Sequence, residues 1–326
     1  MFDTPGVSAI SDTRKRCCTQ PMSDDHAPPP TPETQSVSSS SSPVSSSPSA
    51  ATSDSSLYER LPVVGAVPRI EKQYAHRDFL DSVAPEAALI NIIHVRRLLK
   101  AGYTAASWFP ESTTVVTTTT VADNRLARIN WTQELAFIKA FEPDYHLPTD
   151  YPVYGDMDPE RRVQNTKQCA SGTLYAAEQL ADTDTSVIPL IKGTTGGERY
   201  ICESVAADLE ADIVAKYGSQ YFTVSGSGQF PALRRDVQAI ADEIRDDQRI
   251  FVIGAMSPSG KFGVHKFPEK VCAVAGSRWY ETVKPRSASE RGMLESWQSL
   301  QAAVSDALDV PLTTATNHSH RQTRGA

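Results

Sequence analysis

The chain has 326 residues, 40% of them hydrophobic and 22% charged, with a formal net charge of −7. That length holds one large domain or two small ones with a substantial core. The acidic balance excludes a protein that is basic all over, though not a local basic patch. Five cysteines are too few for a disulfide scaffold. The longest mostly apolar run, Ala87–Ile93, is far too short to cross a bilayer. The expectation is therefore no membrane partner and a cytoplasmic location.

Composition divides the chain in three. Of the 21 positions from Ser36 to Ser56, 13 are serine, and Pro28-Pro29-Pro30 lies upstream. A segment with so little to bury cannot offset the entropy of ordering, so 1–56 is expected to be a disordered Ser/Pro-rich tail. It lacks the apolar core of a signal peptide, and Arg14-Lys15-Arg16 reads as a solvated charge run. Residues 312–326 are polar and read as a flexible C-terminal tail, with His318 and His320 too few to define a metal site. The folded domain is expected over 57–311, near the roughly 250 residues typical of a (β/α)8 barrel.

Within it, apolar runs alternate with helical patterns. Leu61–Val67 is a short apolar segment bounded by prolines. Pro85–Lys100 reads as a helix whose Arg96, Arg97 and Lys100 suit the negative end of its dipole. Thr104–Phe109 reads as a strand, and Val115–Val121, β-branched at every position, as extended chain. Asn130–Phe141 has helical spacing, and Pro159–Leu180 a helix start with Asp158 as N-cap. Further strands are expected at Ser186–Ile191, Tyr221–Val224, Arg249–Ile253 and Val271–Ala275, and further helices at Gly197–Leu209, Pro231–Ile244 and Ala288–Leu308. Repeated βαβ crossovers predict an α/β fold with a parallel sheet. Seven or eight strands in this length favour a TIM-like (β/α)8 barrel over a doubly wound sheet, with chemistry at the carboxyl ends of the strands.

Those ends carry the candidate residues. Asp150 closes the segment containing His146, where a carboxylate can accept hydrogen bonds from a nucleobase or act as acid or base; His146 itself reads as a core histidine. Lys192 ends an apolar strand before Gly193 and needs a partner or a ligand. Gly226 and Gly228 offer backbone amides at a strand–helix turn. From Gly260 to Arg286, six cations stand against Glu269 and Glu281, interleaved with Phe262, Phe267, Trp279 and Tyr280. Cations plus aromatic faces suit single-stranded or flipped nucleotides. Glu281, beside Arg278, is the carboxylate at the end of the last strand and a candidate nucleophile or base. Cys169, Cys202 and Cys272 read as core residues.

Phe141–Asp150, the helix carrying Val163-Gln164-Asn165-Thr166, and Ile188–Gly193 resemble the middle of the queuine/archaeosine tRNA-guanine transglycosylase superfamily, closest to its branch that inserts 7-deazaguanines into DNA. Arg249–Gly254 and Val271–Tyr280 resemble that family's last two strands. The resemblance runs from Asn130 to near Ser299 and rests on element order, spacing and short motifs. It implies that Asp150 recognises the base, that Lys192 and Gly193 stand at the family's Gln-Gly, that Gly226 and Gly228 line the base pocket, and that Glu281 is the closest match to the nucleophilic aspartate. A second alignment sets Gly276-Ser277 against an Asp-Ser of the DNA branch and leaves no nucleophile. The family's Asp-Ser-Gly is replaced by Val115–Val121, with Asp123 the nearby carboxylate, and the zinc-binding cysteine trio is missing.

The resulting expectation is a nucleic-acid base-modifying enzyme, without a cofactor or metal. It would exchange guanine for a 7-deazaguanine in DNA or tRNA through a covalent glycosyl intermediate. Glu281 and Asp150 would be catalytic, and Lys192, Gly193, Gly226, Gly228, His146, Arg278 and Trp279 would bind substrate. The alternative is a catalytically degenerate barrel that binds nucleic acid or serves a modification system. A third reading is an unrelated, metal-assisted barrel using His146, Asp150, Asp156 and His265.

Overall fold

The structure, a computed structural model, describes residues 55–222 and 229–312. Nearly all of the two expected tails, and the turn holding Gly226 and Gly228, lie outside the described residues. After a short helix α1 (Ser55–Tyr58), strands and helices alternate. The first half comprises β1 (Gly65–Ile70), α2 (Tyr74–Val83), β2 (Ala87–Asn91), α3 (Ile92–Leu99), α4 (Ala105–Trp108), β3 (Thr114–Thr118), α5 (Asp123–Leu126) and α6 (Trp131–Phe141). The second comprises β4 (Tyr145–Leu147), α7 (Pro159–Leu180), β5 (Ser186–Val187), α8 (Gly196–Asp208), β6 (Ile213–Tyr217), α9 (Phe230–Glu243), β7 (Arg249–Ile253), β8 (Val271–Gly276), α10 (Arg278–Val283) and α11 (Glu290–Leu308).

The eight strands pair in parallel in the order β5-β4-β3-β2-β1-β8-β7-β6, which is chain order with β1 beside β8. The sheet curls on itself. Inner-face residues from every strand, among them Val67, Leu89, Val116, Leu147, Val187's neighbour Ile188, Ala215, Phe251 and Ala273, belong to one apolar cluster. Outer-face residues alternate with them, and Ile70, Ile90, Val214 and Val252 join a second cluster with Phe79, Leu98, Ile138, Trp279 and Trp297. The expected α/β class and parallel order are therefore present, while a regularly closed barrel is not. At the seam, the segment just after β5 meets β6 in one bridge, Leu190 with Ala215. Pro189, which has no amide to donate, sits in that seam and limits it to two backbone bonds, Ile191 N to Ala215 O and Ala215 N to Pro189 O.

Helices with strong end signals fall where the sequence puts them. Asp158 accepts from Arg161 N to start α7 at Pro159, and Ser289 accepts from Gly292 N to start α11. Other expectations need correction. Pro85–Lys100 is not one helix but β2 followed at once by α3, because Asn91 accepts from the amides of Ile93 and His94 and caps the helix there. Thr104–Phe109 holds α4, opened by a Thr104–Ser107 capping box, instead of a strand. The strand expected at Tyr221–Val224 is Ile213–Tyr217, and Ser219–Phe222 is a 3-10 turn.

Candidate active site at the carboxyl ends of the strands

Asp150 and Lys192 follow adjacent strands, β4 and β5, and meet. Lys192 Nζ donates to Asp150 Oδ1 at 2.6 Å, and both side chains are 6% exposed. Burial works against the Lys192 ammonium, but the Asp150 carboxylate outweighs it and holds the lysine above its usual pKa. The Asp150 turn is fixed from several sides. Asp150 N donates to Thr119 Oγ1, and Thr149 N donates to Glu134 Oε1. Thr149 has a φ of 50°, a left-handed conformation unusual for a β-branched residue. It is pressed against α7 where Gly172 leaves room: a Cβ there would lie 2.3 Å from Thr149 Cγ2. Strain held in place by this many contacts is a common mark of a functional turn. Gly193, at φ 123°, lets the chain turn against the start of α8, since a Cβ would lie 2.7 Å from Arg199 N.

Glu281 lies at the other side of the mouth, on α10 just after β8. Its side chain is 69% exposed and accepts from Arg278 Nη1 at 2.5 Å. Two clefts flank it. One, of about 420 Å³, is lined by Phe222, Phe262, Lys261, Ser257, Ser277, Arg278 and Glu281, with the bare backbones of Gly254 and Gly276. The other, of about 310 Å³, lies between α10 and the loop after β1 and takes in Arg69, Glu71, His76, Tyr280, Glu281 and Arg286. Neither lining includes Asp150 or Lys192. Both volumes fall in the range that small-molecule and nucleotide sites occupy, about 300 to 1,000 Å³.

Two further residues expected to touch substrate are, like Asp150 and Lys192, buried. His146 is fully buried: Nε2 lies 3.0 Å from Glu134 Oε1 and Nδ1 2.9 Å from Thr117 Oγ1. A carboxylate only accepts, so Nε2 donates to it, and His146 serves to tie β4 to α6 beside the Asp150 turn. Trp279 is also fully buried, with Nε1 donating to Arg69 O and its ring packed on Phe79 and His76. It backs the smaller cleft and offers no exposed face for stacking. The basic segment divides likewise. Phe262 and Phe267 pack on Phe230, and Lys266 and Lys270 donate to backbone carbonyls. Lys261, Arg278 and Arg286 reach the clefts.

Sequence reasoning missed the contribution of β1. Arg69 stands two residues beyond the inward-facing Val67, and the loop after it is held by two histidines. Glu71 N donates to His76 Nδ1 and Lys72 N to His94 Nδ1, both at 3.0 Å. The strand-end rule that singled out Lys192 applies equally to Arg69. Among the described residues no group of three histidine, cysteine, aspartate or glutamate side chains could hold a metal ion, and no helix is long and apolar enough to cross a membrane. Compared with known proteins, the chain matches no protein-family model and no curated protein.

Proposed function

We propose that the protein is a transglycosylase-like enzyme acting on nucleic-acid bases, on a TIM-like (β/α)8 architecture with an irregular β5–β6 seam. The observation that carries this reading is Glu281: an accessible carboxylate at the carboxyl end of the last strand, oriented by Arg278 and lining both clefts. Exchange needs such a group. The carboxylate attacks C1′ of a guanosine unit, a C1′–O bond forms, and the C1′–N9 bond breaks. Its electron pair leaves on guanine, which takes up a proton. A 7-deazaguanine then loses its N9 proton, attacks C1′ and releases the carboxylate. Asp150 and Lys192 supply an acceptor and a donor side by side, the complement of guanine's N1–H and O6. Because both are buried, base recognition there requires their ion pair to part.

That last feature favours a second reading, a barrel that binds nucleic acid without exchange, in which the pair is a structural closure. The two are separated by incubating the protein with guanine-containing single-stranded DNA or RNA and a 7-deazaguanine base, then measuring nucleosides by mass spectrometry. Incorporation that disappears in Glu281→Gln supports exchange. Binding without incorporation by the wild-type chain rejects it in favour of the second reading.

A further inference from the structure

We propose that the cleft between the loop after β1 and α10 binds a phosphate group, and that on the polymer substrate this is a backbone phosphate. This deepens the base-exchange reading and rests on it only for the identity of the polymer.

Hydrogen-bond supply in this cleft is one-sided. Each of its carboxylates has a donor at one oxygen: Glu71 Oε2 receives Gln73 Nε2 at 2.7 Å, with His94 Nε2 3.7 Å away, and Glu281 Oε2 receives Arg278 Nη1 at 2.5 Å. Its donors are unmet: among the described residues, neither the Arg69 nor the Arg286 guanidinium has a hydrogen-bond or ion-pair partner. Tyr280 Oη is buried and also lacks one. His76 is 5% exposed, and its Nδ1 accepts the Glu71 amide. The ring proton is therefore on Nε2, which has no partner among the described residues and belongs to the edge left to the cleft. Burial is the main influence on this ring and keeps it neutral, down to a pKa of about 4, so it is a donor without adding charge.

Two arginine forks and an imidazole N–H thus line this cleft from β1, α2 and the turn after α10 with no acceptor among the described residues. The ligand that satisfies them supplies acceptors on several sides and negative charge, which is the chemistry of a phosphate. A carboxylate has two acceptor oxygens and leaves more of these donors unmet. Glu281 lines both clefts, so a strand whose phosphate sits here brings the adjoining sugar beside that carboxylate.

The test uses the full chain. Thermal midpoints are measured with inorganic phosphate, guanosine, guanosine monophosphate and a short single-stranded oligonucleotide, and oligonucleotide affinity is followed across salt concentrations. Phosphate and the monophosphate are expected to raise the midpoint where guanosine does not. The double variant Arg69→Gln, Arg286→Gln is expected to lose that shift and to bind the oligonucleotide about tenfold or more weakly, with a salt slope shallower by about one contact. The exposed control Lys100→Gln gives no loss. If the double variant fails to fold, the exposed single change Arg286→Gln serves in its place. Stabilisation by guanosine equal to that by its monophosphate overturns the site, as does a double variant with unchanged affinity and slope. Oligonucleotide binding no tighter than inorganic phosphate overturns the backbone assignment. None of these readouts involves exchange, so phosphate binding without incorporation rejects the function proposed above and leaves this site intact.

Discussion

Lys192 and Asp150 illustrate how much depends on a single buried contact. With each side chain 6% exposed, removing either charge strands the other in a medium that solvates it poorly. Lys192→Met is expected to cost about 3 to 5 kcal/mol in urea unfolding, and Lys192→Met combined with Asp150→Asn to recover much of that loss. Glu203 on α8 makes a pH prediction. Burial first, and then Glu243, push its carboxyl from 4.5 up to about 7, and its Oε1 lacks a partner among the described residues. Below 4.5 the group is protonated in folded and unfolded chains alike. Between 4.5 and about 7 the unfolded chain ionises first, so stability falls across that window and then levels off. Glu203→Gln should flatten the fall, read as thermal midpoints from about pH 5 to about pH 8. At this scale the sequence showed that Lys192 needed a partner or a ligand, since an apolar strand ending in a lysine cannot leave it bare. It did not show that the partner would be Asp150, nor that Trp279 would turn inward. Those outcomes depend on contacts such as Trp279 Nε1 to Arg69 O, between residues 210 apart in the chain.

Among the elements, α7 was legible from its cap Asp158 and the proline after it, whereas the caps at Asn91 and Thr104 went unread. Ala87–Leu99 was not legible, because a buried strand running straight into a helix has no break in hydrophobicity and its periodicity fits either state. Helix α7 also sets the Asp150 turn. Gly172→Ala would drive a methyl into the stiff Thr149 side chain, and overpacking of this kind costs about 1 to 3 kcal/mol. The expected outcome is a lowered thermal midpoint, relieved in part by Thr149→Ser. The loop after β1 responds to acid. His76 accepts a backbone amide and is held neutral, with burial lowering its pKa from 6.5 to about 4 against the pull of Glu71. Above 6.5 the ring is neutral in both states; as pH falls from 6.5 towards 4 the unfolded chain gains a proton that the folded one refuses. Stability is therefore lost across that window, by about 2 to 3 kcal/mol for this residue. His76→Asn should reduce the acid slope measured by urea unfolding.

For the molecule as a whole, the parallel order follows from the repeated strand–helix units, and that much the alternation in the sequence already required. Closure did not follow, because it turns on the geometry of two strands, one of them two residues long and followed at once by Ile188-Pro189. The seam has two backbone bonds, whereas β2 and β3 share five paired positions. Hydrogen exchange should therefore show early loss of protection at Ile191 and Ala215, and late loss in β2, β3, β7 and β8. Equal protection around the whole sheet would contradict this order of opening.

The same seam makes the chain divisible. A cut in the turn after Lys192 would separate a fragment that keeps β1 to β5 from one that keeps β6 to β8, with the β1–β8 ladder and the packing of α7 on α8 to rejoin them. The two pieces, co-expressed, are expected to recombine into one particle. The Asp150–Lys192 pair then stays within the first fragment, and only reassembly sets it in one molecule with Glu281 of the second.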